Sequence, residues 1–141
     1  MLPVMTKNLT IVLAAMALLV TTGTTSYARD AFDGNWKVTA SPADDAPRNG
    51  AREFTDTLLF KGSKLQSAYC VKNLKLAATT YDEDTRGGVA ATFKCEMKND
   101  KEKTKAVWSG TSTGAEITGE LTITKADGSE QKYSFKGEKS Q

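Results

Sequence analysis

The side chains best able to do chemistry in this sequence are two cysteines and a set of carboxylates, because the chain contains no histidine. Without histidine it cannot form a Ser-His-Asp triad, a Cys-His pair or a His-ligated zinc site. The two thiols, Cys70 and Cys95, are too few to complete a tetrahedral zinc site by themselves. We therefore expect no catalytic residue, no metal and no cofactor, and we expect that the protein is not an enzyme.

Whether the two thiols can form a disulfide depends on the compartment in which the chain folds. The first residues of the sequence indicate that compartment. Lys7 is followed by an apolar run, Leu9–Val20, and then by a small polar region that ends Ser26-Tyr27-Ala28. A basic start, about 7–15 apolar residues and a small-x-Ala end describe a secretory signal peptide. The run is too short for a transmembrane helix, which needs roughly 20 residues. We predict a signal peptide over residues 1–28, cleavage near Ala28, and export to the periplasm or the extracellular space.

Cys70 and Cys95 are expected to form a disulfide, since an even number of cysteines in an exported chain usually does so. Such a bridge would stabilise the fold by roughly 3 kcal/mol on the chain-entropy model. Two buried free thiols are the alternative. Cys95 lies on the inward face of its expected strand, whereas Cys70 is out of phase with Leu65 and Tyr69. Because a disulfide tolerates Cα separations only up to about 7 Å, we expect a bulge or an excursion of the chain near Cys70.

Among the carboxylates, Asp56 stands out because it has inward parity between Phe54 and Leu58. A buried carboxylate needs a partner, or its pKa rises. Asp56 could anchor a ligand inside the fold, or it could lie near a rim or be rotated outward by a bulge, and we favour the second interpretation. The acidic runs Asp82-Glu83-Asp84 and Asp44-Asp45 lack the spacing of a calcium loop and are interpreted as solvated turns.

The elements that would position these residues are β-strands, because apolar and polar residues alternate and turn residues recur every 8 to 12 positions. In residues 116–124, Ile117, Leu121 and Ile123 share one face. The expected strands are 34–40, 52–60, 64–70, 88–97, 103–110, 116–124 and 131–137. Residues 74–81 could add an eighth strand, form a helical turn or cross between strands. Short turns and consecutive antiparallel strands favour an all-β, up-and-down meander of about eight strands that closes into a small barrel and removes its open edges.

The inside of such a barrel is just wide enough to be filled by side chains or to hold one small ligand. An immunoglobulin-like sandwich would place a Trp between its cysteines, but Trp36 and Trp108 both lie outside that interval. The aromatic residues with inward parity are Trp36, Phe54, Phe60, Phe93, Trp108, Tyr133 and Phe135. The residues that could line a ligand pocket are Asp56, Tyr69, Phe93, Trp108 and Tyr133.

The stretch Gly34-Asn35-Trp36, which follows Phe32, resembles the G-x-W signature of the calycins, the group that includes lipocalins, fatty-acid-binding proteins and avidins. The resemblance implies that the Gly permits a tight start of the first strand and that the Trp plugs one end of a barrel. It also implies a basic residue on the last strand that packs across the Trp ring as a cation–π contact. Lys136 or Lys139 fits that role by position, and we assign it to Lys136.

The last part of the chain, from Trp108 to Gly137, resembles small exported bacterial barrels of uncharacterised function. The chain lacks the C-terminal helix of a lipocalin and the helix pair that lids a fatty-acid-binding protein. For that reason no ligand chemistry is carried across from the resemblance.

The part of the chain after the leader, residues 29–141, reads as a single domain of ordinary size. Removing the leader lowers the Lys plus Arg count from 19 to 18 against 17 Asp plus Glu, so the net charge is +1. We expect no nucleic-acid partner, because there is no basic stripe, and no membrane insertion of the mature chain.

Many inward aromatics leave little room for a ligand, so we expect a non-enzymatic binding or interaction module. It would act through its loops on an unknown protein or small-molecule partner. The long connection Ser41–Ala51 is the leading contact candidate. The alternative is a carrier of a small apolar or aromatic ligand inside the barrel.

Overall fold

The computed structural model describes residues 31–85 and 90–140, so the predicted leader lies outside the described residues. In this part of the chain eight strands form one closed barrel, in which each strand pairs antiparallel with the next and the last pairs with the first. The strands are β1 (Gly34–Pro42), β2 (Phe54–Lys61), β3 (Lys64–Ser67), β4 (Thr79–Asp84), β5 (Ala91–Asn99), β6 (Thr104–Ser112), β7 (Glu116–Thr124) and β8 (Glu130–Lys139). The prediction of a closed up-and-down barrel is confirmed.

The barrel closes where β8 meets β1. Trp36 of β1 is the register partner of Lys139 of β8, and Pro42 is the partner of Tyr133. Beyond the ladder, the backbone N–H of Ser140 donates to the carbonyl oxygen of Asn35 over 2.7 Å. The first and last strands therefore run side by side from Trp36 to Pro42 of β1 and from Tyr133 to Lys139 of β8.

One short helix, α1 (Ala68–Leu74), interrupts the run of strands between β3 and β4. The strand predicted over residues 64–70 ends early because Ser67 is the N-cap of this helix, with its Oγ accepting from the backbone N–H of Cys70 over 3.0 Å. The helix ends at Lys75, whose backbone has the left-handed conformation with a φ of 54°. The predicted excursion near Cys70 is confirmed, and it takes the form of this helix. No helix within the described residues has the length and hydropathy needed to cross a bilayer.

The interior of the barrel is built from the residues that the alternation placed inward. Trp36 and Trp108, the two indoles on which the barrel interpretation depends, are both completely buried. Each strand alternates buried and exposed positions, as Ala91–Asn99 and Glu130–Lys139 do most regularly. The fold therefore depends on one continuous apolar core that the strands enclose.

Two glycines on the inward face, Gly110 and Gly119, lie where there is no room for a larger side chain. A Cβ at Gly119 would lie 2.1 Å from the carbonyl oxygen of Ser109 and 2.7 Å from the ring of Phe135. A Cβ at Gly110, its register partner, would lie 2.9 Å from the ring of Phe93. β6 and β7 approach closely here, and the phenyl rings occupy the volume that larger residues would need.

Candidate functional site

The start of the barrel is closed by a plug made of Phe32, Gly34, Trp36 and Lys139. The indole N–H of Trp36 donates to the carbonyl oxygen of Phe32 over 2.8 Å, which fixes the chain just before β1. Gly34 has a φ of 124°, and a Cβ at this position would lie 2.9 Å from Cε of Lys139. The absence of a side chain at Gly34 leaves the path along which Lys139 reaches the Trp36 ring, with Nζ 5.5 Å from its centroid.

The assignment of this cation to Lys136 is wrong, and the register explains why. Lys139 is the cross-strand partner of Trp36, and paired residues share a face of the sheet. Lys136 lies three positions earlier, which puts it on the opposite, outer face. There it pairs with Thr39 of β1 and Thr118 of β7.

Next to the plug, a cluster of aromatic rings fills the barrel. Phe32 lies 5.2 Å from Phe60 and 5.1 Å from Phe93, measured between ring centroids, and Phe60 lies 5.1 Å from Tyr81. The Phe60–Tyr81 pair is edge-to-face, as is Phe32–Phe93, a preferred arrangement of aromatic rings. Phe93, which sequence reasoning placed along a ligand pocket, is therefore part of a packed ring cluster.

The remaining candidates for a pocket lining lie elsewhere. Tyr69 of α1 stacks on Phe54 with 3.8 Å between centroids, and Phe54 meets Tyr133 edge-to-face at 5.2 Å. Trp108 packs against Phe135 at 5.3 Å. The structure thus brings Tyr69 and Tyr133 into one group, but it leaves Phe93 and Trp108 in separate contacts.

Asp56 is inward and only 7% exposed. An outward rotation by a bulge, one of the two forms of the interpretation that we favour, is therefore wrong. Its carboxylate oxygens accept from the Ser67 hydroxyl over 2.5 Å and from the backbone N–H of Tyr69 over 2.9 Å, and the N–H of Thr57 donates to it over 2.8 Å. Desolvation by burial raises the pKa of Asp56, although these hydrogen bonds oppose the rise. The partners of this carboxylate are groups of the protein itself, and they fasten the first turn of α1 to β2.

The predicted disulfide is wrong, because Cys70 and Cys95 are both buried free thiols. Cys95 lies on β5, and its Sγ contacts the carbonyl oxygens of Thr79 and Thr80 at 3.5 and 3.6 Å. Cys70 points from α1 into the barrel. Desolvation raises the pKa of Cys70 to about 11 and that of Cys95 to about 12, so both remain protonated near neutral pH.

Behind Cys70, the indole N–H of Trp108 is buried and has no hydrogen-bond partner of good geometry. It lies close enough to the Cys70 sulfur to lower the pKa of that thiol, against the larger effect of desolvation. A buried donor without an acceptor is costly, and it is uncommon in folded proteins. This N–H is an interior polar group whose hydrogen bonding is incomplete.

Three of the depressions lined by described residues lie on the outer wall, and each is open to solvent. The first, of about 690 Å³, runs along β1, β8 and β7 past Lys37 and Lys136. The second, of about 530 Å³, lies beside α1 between Lys37 and Lys72. The third, of about 350 Å³, lies over Gly110 and Gly119. Among the described residues, no group of three or more His, Cys, Asp or Glu side chains could hold a metal ion.

The connection between β1 and β2, which contains most of the predicted contact loop Ser41–Ala51, is held against β8. The side-chain amide of Asn49 donates to the carbonyl oxygen of Glu130 over 2.8 Å, and Gln131 Nε2 donates back to the carbonyl oxygen of Asn49 over 3.0 Å. Ala51 is buried, whereas most residues between Asp44 and Gly50 are exposed. The loop therefore has a fixed base and a solvent-facing surface.

The fold and its contents define a closed, antiparallel, up-and-down barrel that is packed with its own aromatic side chains. Comparisons with protein-family models, with curated proteins and with solved structures found no significant match to this chain.

Proposed function

We propose that this protein is an exported, non-enzymatic binding or interaction module that acts through its outer surface and its loops. The observation that carries the proposal is the occupancy of the barrel by its own rings, from Phe32 and Phe60 at one end to Phe54 and Tyr133 at the other. Because those rings occupy the volume a carrier would reserve for its ligand, recognition is assigned to the exterior.

The loop after β1 is the proposed contact surface. Hydrogen bonds at Asn49 hold its base, so binding would cost less conformational entropy than it would for a mobile loop. Its exposed part carries both signs of charge, with Asp44 and Asp45 before Arg48. A surface of this kind suits a polar protein partner with complementary charges.

We also infer that the barrel is calycin-like. The support for this is the plug, in which the G-x-W residues Gly34 and Trp36 meet a lysine of the last strand, Lys139. The predicted leader supports export.

The test is affinity capture from an exported protein fraction with three immobilised proteins. These are the wild type, a loop variant with Asp44, Asp45 and Arg48 changed to Ala, and a matched wall variant with Lys94, Glu96 and Lys98 changed to Ala. A partner retained by the wild type and the wall variant but lost from the loop variant supports the proposal. Equal retention by all three proteins argues against the loop.

A second candidate function, a carrier of a small apolar or aromatic ligand, is favoured by one observation, the buried and unpartnered indole N–H of Trp108. A ligand with a hydrogen-bond acceptor could satisfy that donor. Native mass spectrometry of the purified protein distinguishes the two functions. A single small molecule that copurifies in stoichiometric amount would favour the carrier and contradict the surface module.

A further inference from the structure

The barrel wall is weakest between β2 and β4, where α1 stands in place of strand pairing. β3 pairs with β2 only along Leu58–Lys61 of β2, so the register ladder on that side does not reach Phe54–Thr57. β3 and β4 share only the pairs Lys64 with Thr80 and Leu65 with Thr79. Over this stretch α1 packs against β2 and β3, and its Tyr69 ring stacks on Phe54 of β2.

Polar contacts hold the helix at its two ends. At its start, the Asp56 carboxylate accepts from the Ser67 hydroxyl and the Tyr69 N–H. At its exit, the side-chain amide of Asn99 donates to the carbonyl oxygen of Lys75 over 2.9 Å. An ion pair of 3.4 Å joins Lys75 to Glu102, but both partners are exposed, and such pairs contribute little to stability.

The apolar contacts of α1 are limited to a few residues: Tyr69 stacks on Phe54, and Leu74 is partly buried against the core. Cys70 is the buried residue of α1, whereas Val71 is 41% exposed. The helix has seven residues, and isolated helices shorter than about 12 are marginal in water. Segments with few buried apolar contacts open locally at a lower free energy than the core strands.

We propose that α1 is a gate that swings away from the barrel as a unit while the eight strands stay paired. Its opening uncovers Cys70 and, behind it, the unpartnered indole N–H of Trp108. The hydroxyl of Ser67 is the latch, because it both donates to Asp56 and accepts from the Cys70 N–H. Closing the gate places Cys70 against Trp108 again.

The two cysteines are built-in reporters of this motion. Cys70 lies on the gate and Cys95 on β5, and both are completely or almost completely buried. We would label the native purified protein with N-ethylmaleimide, quantify each site by mass spectrometry, and divide each rate by the rate at the same site in 6 M guanidinium. We expect the corrected rate at Cys70 to exceed that at Cys95 at least tenfold.

Two variants sharpen the test. Ser67→Ala removes the latch from the closed state and should raise the corrected Cys70 rate at least tenfold. The corrected Cys70 rate should stay at least tenfold above the Cys95 rate, because both openings start from the same closed state. Thr57→Ala, on the outer face of β2, keeps the backbone N–H that donates to the Asp56 carboxylate. This control should change neither the Cys70 rate nor the Cys95 rate. If Ser67→Ala fails to fold, the wild type in low urea is sufficient, since local opening is nearly independent of urea and global unfolding is not. Equal corrected rates at the two cysteines, rising together with urea, would overturn the gate.

Discussion

Adding one methyl group at Gly119 tests whether the barrel is as tightly closed as its packing indicates. In Gly119→Ala, two of the three nearest atoms to the new Cβ belong to the backbone, the carbonyl oxygen of Ser109 at 2.1 Å and Cα of Gly110 at 2.6 Å. Backbone atoms cannot rotate away, so β6 and β7 must separate and the Phe135 ring must shift. Overpacking in a core typically costs about 1–3 kcal/mol and occasionally more, and we expect at least about 3 kcal/mol here.

A loss of this size should lower the melting temperature by about 12–15 °C for a domain of this length. Thermal melting by circular dichroism and urea unfolding by tryptophan fluorescence would measure it, since Trp36 and Trp108 are buried only in the folded barrel. The matched control is Gly128→Ala, where no atom lies within 4 Å of the new Cβ but φ is +86°. There only backbone strain of about 1–2 kcal/mol is expected. If Gly119→Ala costs no more than Gly128→Ala, the barrel has slack between β6 and β7 and the argument for a filled interior fails.

Three further predictions address the thiols, the plug and the buried carboxylate. Denatured, unreduced protein should titrate as two free thiols with Ellman's reagent, and a count of zero would show that Cys70 and Cys95 are bridged after all. Lys139→Ala should destabilise the fold by about 0.5–1 kcal/mol in urea unfolding, because the contact with Trp36 is lost. The control Lys136→Ala should cost less than about 0.5 kcal/mol. Equal effects of the two substitutions would contradict the plug. Because burial raises the folded pKa of Asp56 above its ordinary 3.8, its contribution to stability is greatest below that value and falls as pH rises through the folded pKa. Asp56→Asn should therefore be more destabilising relative to wild type at pH 3.5 than at pH 7, and the reverse order in urea unfolding would refute this.

Most strands were predictable from sequence because each is decided locally. The exception is β4, since residues 74–81 were left open and Asp82-Glu83-Asp84, interpreted as a solvated turn, lie in this strand. The predicted bounds of β7, residues 116–124, match the observed strand, since alternation and flanking turn residues specify both face and length. The inward parity of Phe93, Trp108 and Tyr133 follows from the same rule, and all three are buried.

The helix α1 was not predictable in this way, because its cause lies elsewhere in the chain. Leu65, Ser67 and Tyr69 continue an alternating pattern that reads as strand. What ends the strand is the Asp56 carboxylate on β2, which binds Ser67 and the start of the helix. A contact between residues 11 positions apart leaves no mark in local periodicity.

The errors at the candidate site have similar origins. The disulfide was inferred from the number of cysteines and the expected compartment, whereas the thiol positions depend on α1. By position either Lys136 or Lys139 fitted the cation, and Lys136 was assigned. β8 continues past the predicted end at Gly137 to Lys139 and brings that residue beside Trp36. Phe32, which precedes β1, was not identified as core because alternation applies only within strands.

The hydrogen bond between Ser140 and Asn35 shows that the end of β8 and the start of β1 lie next to each other. A short linker could join the ends of the described chain, and new ends could be cut into the exposed hairpin around Asp127 and Gly128 without removing any strand pair. A circular permutant of this design would keep every neighbour of every strand. The closed barrel therefore does not require that β1 come first in the sequence.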